Sequence, residues 1–133
     1  MKKILNLLLV ALFPLMAYSQ QIYDRSGSLL GRYDNGRIYN RSGSYEGKID
    51  SDRCYNYSGS YIGSIRNDRF YDRSGCYMGY GQSGRYYDRS GSFIGRVSSG
   101  YVYDRSGSQI GRAQSVPSNV AALIFLYGLF NLR

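Results

Sequence analysis

The side chains with the most potential for chemistry recur in the turns of a repeated string. Asp24 is followed two residues later by Ser26, and the same pairing recurs after Asp72, Asp88 and Asp104. A carboxylate beside a hydroxyl could activate a nucleophile, but a catalytic pair is expected once, in a cleft. One carboxylate per turn, next to an arginine, is also too few oxygens for calcium. With no histidine in the chain, the sequence predicts a protein without enzymatic activity, metal or cofactor.

Tyrosine and arginine are the other residues able to recognise a ligand. The chain has 16 Tyr, interleaved with glycine and basic residues. Tyrosine offers a rigid ring with a hydroxyl, and arginine offers planar hydrogen-bond donors. Such a face could bind a carbohydrate or another anionic polymer, or its rings could simply pack between neighbouring hairpins. The candidate ligand-binding residues are Tyr45, Tyr57, Tyr61, Tyr77, Arg32 and Arg96.

These residues are positioned by a unit of sixteen residues. The first copy is IYDRSGSLLGRYDNGR from Ile22; five full copies and a partial sixth cover residues 22–114. Sixteen residues accommodate two strands of about five residues and two tight turns, and glycine recurs too often for a helix. The sequence therefore predicts an all-β domain built from short β-hairpins.

Glycine recurs at two places in each unit. Gly27 and its equivalents follow Asp-Arg-Ser or a variant of it, where glycine closes a turn in the left-handed conformation. The second glycine lies mid-strand. Around Gly63, for example, Ile62 and Ile65 are three residues apart, which strict alternation would place on opposite faces. One extra residue returns them to one face, so we expect a β-bulge at each mid-strand glycine.

With these bulges the two faces of the hairpins separate. The predicted core face carries Ile22, Ile38, Cys54, Phe70, Tyr86, Val102, Leu30, Ile62, Met78, Ile94, Ile110, Ile49, Ile65 and Val97. The opposite face carries Tyr23, Tyr39, Tyr55, Tyr71, Tyr87, Tyr103, Tyr45, Tyr61, Tyr77, Phe93, Arg32, Lys48, Arg96 and Arg112. Glu46 interrupts the apolar pattern, and nothing in the repeat explains it.

The C-terminal segment, residues 116–133, has a different character. Nearly every residue from Val120 to Phe130 is apolar, and Ser118 or Asn119 could cap a helix that begins there. A helix that is apolar all round is expected to be buried, and about 20 Å of helix matches a strand of six residues. We expect a plug in the core; membrane contact and subunit contact are the alternatives.

The first 19 residues have the layout of a secretory signal peptide. Two lysines precede an apolar run, and small residues follow at Ala17 and Ser19. The run is short for a membrane span, so we expect cleavage after Ser19 rather than a retained anchor. This predicts one exported domain, residues 20–133, in the periplasm, at the cell surface or outside the cell. The formal charge of +8 suits anionic partners, and export argues against nucleic acid.

The two cysteines are expected to be free thiols. Cys54 is expected on the first strand of the third unit and Cys76 on the second strand of the fourth. About three strand spacings separate the two, which is well beyond the reach of a disulfide. We expect Cys54 to be buried.

The string YDRSGxxIGR, repeated every sixteen residues and followed by an apolar tail, resembles the four-fold and five-fold beta-flower families of small exported bacterial proteins. The resemblance implies hairpin petals around an axis: a flower or small toroid with the apolar helix as plug. Six copies, the last partial, leave five or six petals open. The string is also similar to the YD repeats of bacterial surface and toxin shells, whose units are longer and less regular.

These features favour an exported, non-enzymatic binding module at the cell envelope that uses its Tyr/Arg face, with a glycan as one candidate ligand. The alternative is a structural or assembly protein whose apolar tail contacts a membrane or partner subunits. The repeat leaves the oligomeric state open.

Overall fold

The computed structural model describes residues 20–132, which form twelve strands and one helix. The signal-peptide prediction lies outside these residues. The strands are β1 (Gln20–Asp24), β2 (Leu29–Asp34), β3 (Arg37–Asn40), β4 (Tyr45–Asp50), β5 (Arg53–Asn56), β6 (Tyr61–Arg66), β7 (Arg69–Asp72), β8 (Tyr77–Gln82), β9 (Arg85–Asp88), β10 (Phe93–Ser98), β11 (Tyr101–Asp104) and β12 (Gln109–Ala113). The helix α1 spans Ser118–Phe125.

The twelve strands form a closed antiparallel barrel. Each strand pairs with its neighbours in the chain, and β12 returns to pair with β1, with Ile22 opposite Ala113 and Tyr23 opposite Arg112. Numbered in chain order, hairpins 1 to 6 are β1–β2, β3–β4, β5–β6, β7–β8, β9–β10 and β11–β12. The prediction of an all-β ring of hairpins with a C-terminal helix is confirmed, and the number of hairpins is six.

The six hairpin turns share one hydrogen-bond pattern. In the first, Asp24 Oδ1 accepts from the backbone N–H groups of Ser26 and Ser28, both at 2.9 Å, and Gly27 has φ +87°. Asn40 and Asn56 accept in the same way in their own turns, because Asp and Asn share the acceptor Oδ1. All six turns lie at one end of the barrel, which we call the Asx end.

A β-bulge interrupts every hairpin at the mid-strand glycine. In hairpin 1, Ile22 lies opposite Gly31 but Tyr23 lies opposite Leu29, so Leu30 is the extra residue. The same register shift occurs in the other five hairpins. The predicted bulges, and the sorting of side chains that depends on them, are confirmed.

The inner face of the barrel is the predicted apolar face. The first apolar residue of each repeat is at most 1% exposed; these residues are Ile22, Ile38, Cys54, Phe70, Tyr86 and Val102. Leu30 and Val97 are also buried, and Ile49, Ile62, Ile65, Met78, Ile94 and Ile110 pack against this cluster while remaining partly exposed. At the centre of the cluster, Val120, Ala121, Ala122, Leu123 and Ile124 of helix α1 are buried. The helix is therefore the plug that the sequence predicted.

The start and the length of α1 differ from the prediction. Neither Ser118 nor Asn119 caps it, because the residue before the first turn is Pro117 and no side chain bonds there. Asn119 instead connects two distant groups, donating to Asp68 Oδ1 and accepting from the Tyr86 hydroxyl, both at 2.9 Å. Asp68 lies between β6 and β7, so α1 begins at the end of the barrel opposite the Asx end.

The helix ends at Phe125, although the apolar run continues to Phe130. Beyond the helix the chain passes around the barrel axis, and successive side chains rest on the mid-strand glycines of hairpins 6 to 2. A Cβ added to each of these glycines would lie very close to a tail side chain. The nearest tail atoms, with their distances from that Cβ position, are the Phe125 ring at Gly111, Leu126 Cδ2 at Gly95 (2.7 Å), Tyr127 Oη at Gly79 (3.0 Å), Leu129 Cδ2 at Gly63 (2.7 Å) and Phe130 Cε1 at Gly47 (2.8 Å). We call residues 125–130 the tail ring.

The two cysteines are free, and Cys54 is buried whereas Cys76 is exposed, as predicted. Cys54 is one of the inward-facing residues beside the plug. Burial raises the pKa of its thiol to about 12.

Replacing a mid-strand glycine should destabilise the protein more than replacing a turn glycine. A Cβ at Gly63 would lie 2.5 Å from the Tyr71 carbonyl oxygen and 2.7 Å from Leu129 Cδ2, so Gly63→Ala should lower the free energy of unfolding by about 3 kcal/mol. Gly59→Ala meets nothing within 4 Å and should cost about 1–2 kcal/mol for its left-handed backbone. Urea denaturation followed by circular dichroism measures both, and equal losses would contradict the tight packing at Gly63.

Candidate functional site

The outside of the barrel carries a repeated contact centred on one tyrosine per hairpin. On hairpin 2, Tyr39 has Arg32 of hairpin 1 on one side and Tyr45 of its own hairpin on the other. The Arg32 guanidinium lies 4.0 Å above the centre of the Tyr39 ring, and the Tyr45 ring meets it edge-on at 5.9 Å. The ring is thus held between a cation and an aromatic edge.

This contact recurs around the barrel. We call the six central tyrosines, Tyr23, Tyr39, Tyr55, Tyr71, Tyr87 and Tyr103, with the residues paired to them, the outer belt. Its other cation contacts are Lys48 on Tyr55 at 5.6 Å, Arg96 on Tyr103 at 4.1 Å and Arg112 on Tyr23 at 4.5 Å. Its other ring contacts are Tyr55–Tyr61, Tyr71–Tyr77 and Tyr87–Phe93, at 6.0–6.1 Å between centroids. Each exposed cation contact contributes about 0.5–1 kcal/mol to stability. Packing between neighbouring hairpins is therefore enough to explain why most of the belt residues are present.

The belt departs from its pattern on hairpins 3 and 4. The position of the cation is taken there by Ser64, opposite Tyr71, and by Tyr80, opposite Tyr87. Tyr80 still covers its partner, since the two rings stack at 4.8 Å with 20° between their planes. A serine side chain is too short to do so, and the nearest replacement is Arg66, with its guanidinium 5.4 Å from the centre of the Tyr71 ring.

A groove lies beside Ser64 as a consequence. Its volume is about 500 Å³, and it is lined by Tyr61, Tyr71, Arg53, Arg66, Asp52, Ser64 and Gly75. Two aromatic rings, two guanidinium groups, a carboxylate and a hydroxyl therefore face one space. Rings can stack on the apolar face of a ligand, while the polar groups can hydrogen-bond its edges.

The six candidate ligand-binding residues do not form one constellation. Tyr61 lines the groove, whereas Tyr45 and Tyr77 occupy the equivalent place on hairpins 2 and 4. Arg32 and Arg96 lie on β2 and β10 and cover the rings of the following hairpins.

Tyr57 occupies the turn slot that holds arginine in the other repeats, and it is 71% exposed. Tyr45 and Tyr61, each 37% exposed, lie on the same pair of neighbouring hairpins. Hairpins 2 and 3 therefore carry three tyrosines that are more than a third exposed, and one of them, Tyr61, lines the groove.

Sequence reasoning missed four residues of the groove: Asp52, Arg53, Ser64 and Arg66. The aligned repeats contained one signal, because Ser64 is the one small residue at a position otherwise held by arginine, lysine or tyrosine. The structure also explains Glu46, whose Oε2 accepts a hydrogen bond from Asn40 Nδ2 at 2.9 Å. The carboxylate thus ties the second strand of hairpin 2 to its turn.

The sequence profile described as 5-fold beta-flower protein matches residues 19–129, which span all six hairpins and most of the tail ring. The chain belongs to the 5-fold beta-flower family. This member has six hairpins around its axis, and its tail ring contacts the mid-strand glycines of five of them. No curated protein and no solved structure matches the chain. Among residues 20–132, the one helix is too short to cross a membrane.

Three carboxylates of the Asx end, those of Asp24, Asp88 and Asp104, have lowered pKa values. Hydrogen bonds from the Ser26 hydroxyl and from backbone N–H groups lower the pKa of Asp24, and Arg41 of the next hairpin adds to the effect. Asp88 and Asp104 have lowered pKa values for the same reasons, with Arg105 and Arg25 as the neighbouring cations. In these three turns the arginine of the neighbouring turn thus lies close enough to stabilise the carboxylate.

The barrel should lose stability in acid through these turns. A carboxyl whose folded pKa is lowered stabilises the fold above its unfolded pKa, near 3.8, and this contribution is lost as the pH falls through the folded value. The triple variant Asp24→Asn, Asp88→Asn, Asp104→Asn should keep the turns, because Asn40 and Asn56 already form them. Its stability should fall less between pH 6 and pH 3 in urea titrations; the same fall as in the parent chain would contradict the assignment.

Proposed function

We propose that this beta-flower protein is an exported, non-enzymatic binding module of the cell envelope, and that a glycan is its ligand. The proposal rests on the groove at Ser64, a short side chain at a belt position that holds arginine, lysine or tyrosine in the other hairpins. The rings of Tyr61 and Tyr71 border a space there that they share with Arg53 and with Arg66, whose guanidinium lies 5.4 Å from the centre of the Tyr71 ring. Four of the other five belt positions carry an arginine or lysine on the ring, and Tyr80 occupies this position at the fifth.

The chemistry of the groove suits a sugar. The apolar face of a pyranose ring can lie against a tyrosine, and its hydroxyls match the planar donors of arginine and the acceptors of Asp52. The two guanidinium groups exceed the single carboxylate, so the groove has a formal charge of +1 and favours an acidic sugar over a neutral one.

The surface next to the groove allows a ligand longer than one sugar. Tyr57 is exposed on hairpin 3, which also carries Tyr61. Rigid exposed tyrosines provide contact area at a low cost in side-chain entropy. A polymer that enters the groove can therefore continue across these rings, which is the expected mode for an envelope polysaccharide.

A structural or assembly role through the apolar tail is the second candidate, and the burial of the tail weighs against it. Residues 120–124 are buried in the barrel, and so is Phe130. Contact of these side chains with a membrane or a partner subunit would require them to leave the core, which would expose the inner face of every hairpin. The glycan proposal requires no such rearrangement.

The sharpest test fills the space beside Ser64 with the long side chain that most other repeats carry at this position. Ser64→Arg should place a guanidinium over Tyr71, as Arg96 does over Tyr103, and should close the groove while supporting the fold. Acidic and neutral polysaccharides screened on an array identify a binder, and calorimetry then compares the variants. We expect Ser64→Arg to weaken binding of that polysaccharide about tenfold or more, which corresponds to at least about 1.4 kcal/mol.

Tyr61→Ala and Tyr45→Ala form a matched pair, because both side chains are 37% exposed and occupy the same repeat position. Tyr61→Ala should weaken binding about tenfold, since it removes a wall of the groove, whereas Tyr45→Ala should change it about twofold at most. Equal losses, or unchanged binding by Ser64→Arg, would exclude the groove. If no polysaccharide binds, and the protein instead sediments with vesicles through its tail, the second candidate is favoured.

A further inference from the structure

The contact between the tail and the mid-strand glycines is less close at one hairpin. Gly31 of hairpin 1 is the exception: the three atoms nearest to a Cβ placed there belong to the backbone of Tyr39 and Asn40. At Gly47 and Gly63 a tail atom lies among the three nearest, at 2.8 and 2.7 Å. In the sector of hairpin 1 the nearest neighbours of the glycine are thus backbone atoms, and the buried tail residue Leu132 lies close to Leu30 of this hairpin.

A cavity of about 580 Å³ occupies this sector. Its apolar walls come from hairpin 1, hairpin 6 and the tail, and consist of Leu30, Ile110, Ile124, Phe125, Phe130 and Leu132. Leu30, Phe130 and Leu132 are buried, at 4–8% exposure, so this interior space continues the hydrophobic core. Its size falls within the range of pockets that hold small organic ligands.

The mouth of the cavity is polar and opens at the Asx end. Arg25 and Arg41, from the turns of hairpins 1 and 2, line it together with Asp24, Ser26 and Asn131. The Asp24 carboxylate already accepts hydrogen bonds from two backbone N–H groups and the Ser26 hydroxyl. The residues that line the mouth have a formal charge of +1, from two guanidinium groups and one carboxylate. Arg41 lies near Asp24 and Arg25 near Asp104 of the neighbouring turn, and an anion at the mouth would share these two cations.

We propose that this cavity binds a small amphipathic anion, namely a free monocarboxylate with a medium-length alkyl chain. The alkyl chain lies against the apolar walls formed by Leu30, Phe125 and Phe130. The carboxylate meets the planar donors of Arg25 and Arg41 at the mouth, a pairing that arginine geometry favours. The site shares no residue with the groove at Ser64, so it is independent of the glycan proposal.

The repeat supplies matched controls for both halves of the site. Arg73 and Arg89 occupy the same turn slot on hairpins 4 and 5, where Tyr127 and Leu126 cover the glycines. The double variant Arg25→Gln, Arg41→Gln is therefore compared with Arg73→Gln, Arg89→Gln, which removes the same charge from the same end of the barrel. In the apolar part, Ile110→Phe narrows the cavity, whereas Ile62→Phe makes the same change on hairpin 3, where Leu129 is already in place.

Calorimetric titration of the protein lacking residues 1–19 with sodium octanoate tests the proposal, with octanol as the uncharged probe. We expect one octanoate per chain, binding about tenfold weaker in the Arg25/Arg41 variant and in Ile110→Phe, and changed about twofold at most in the two control variants. Octanol should bind more weakly than octanoate. Circular dichroism verifies that each variant is folded.

Three results would overturn the proposal: no octanoate binding by the parent protein, equal weakening by the two arginine pairs, or octanol binding as tightly as octanoate. Phosphatidylglycerol vesicles separate a free anion from a membrane surface. Sedimentation with vesicles that depends equally on both arginine pairs, without octanoate binding, would also overturn it. Polysaccharide binding should persist in the Arg25/Arg41 variant, so the failure of either proposal is distinguishable from that of the other.

Discussion

The packing of the tail ring against the mid-strand glycines is the contact on which the rest of the structure depends. Twelve strands enclose a space wider than their own inward side chains can fill, and α1 with the tail ring fills it. The glycines serve two purposes there. Each one forms the bulge that brings the apolar residues to the inner face, and its missing Cβ leaves room for a tail side chain.

Because the interior is filled in the same way in nearly every sector, positions that break the repetition are informative. The outer belt places a cation on most of its tyrosines, and Ser64 interrupts it where a groove lies. The tail ring covers the glycines of hairpins 2 to 6, and the cavity lies in the sector of hairpin 1. The groove thus lies where one copy of the repeat has a shorter side chain than its equivalents, and the cavity lies where the tail meets hairpins 1 and 6.

The features predicted well from the sequence are those that follow from local rules repeated six times. Turn geometry at Gly27, the bulge at Gly63 and the burial of Ile22 depend on residues within one unit, so six copies gave the same signal repeatedly. The start of α1 was mispredicted because Asn119 bonds to Asp68 and Tyr86, which are distant in sequence. The end of the helix was missed for the same reason, since each tail side chain after Phe125 packs on a glycine of a different hairpin. The groove was missed because it depends on pairing between neighbouring hairpins rather than on any one unit.

Nuclear Overhauser spectroscopy of the protein in solution tests the central packing claim most directly. The account predicts cross-peaks from the Hα protons of Gly47 to the ring protons of Phe130, and from those of Gly111 to the ring of Phe125, because ring carbons lie against both glycines. Gly31 is the internal control, and its Hα protons should show no cross-peak of comparable strength to the aromatic protons of Phe125 or Phe130. Absence of the first two cross-peaks, with both phenylalanine rings at the chemical shifts of an unfolded chain, would contradict the account.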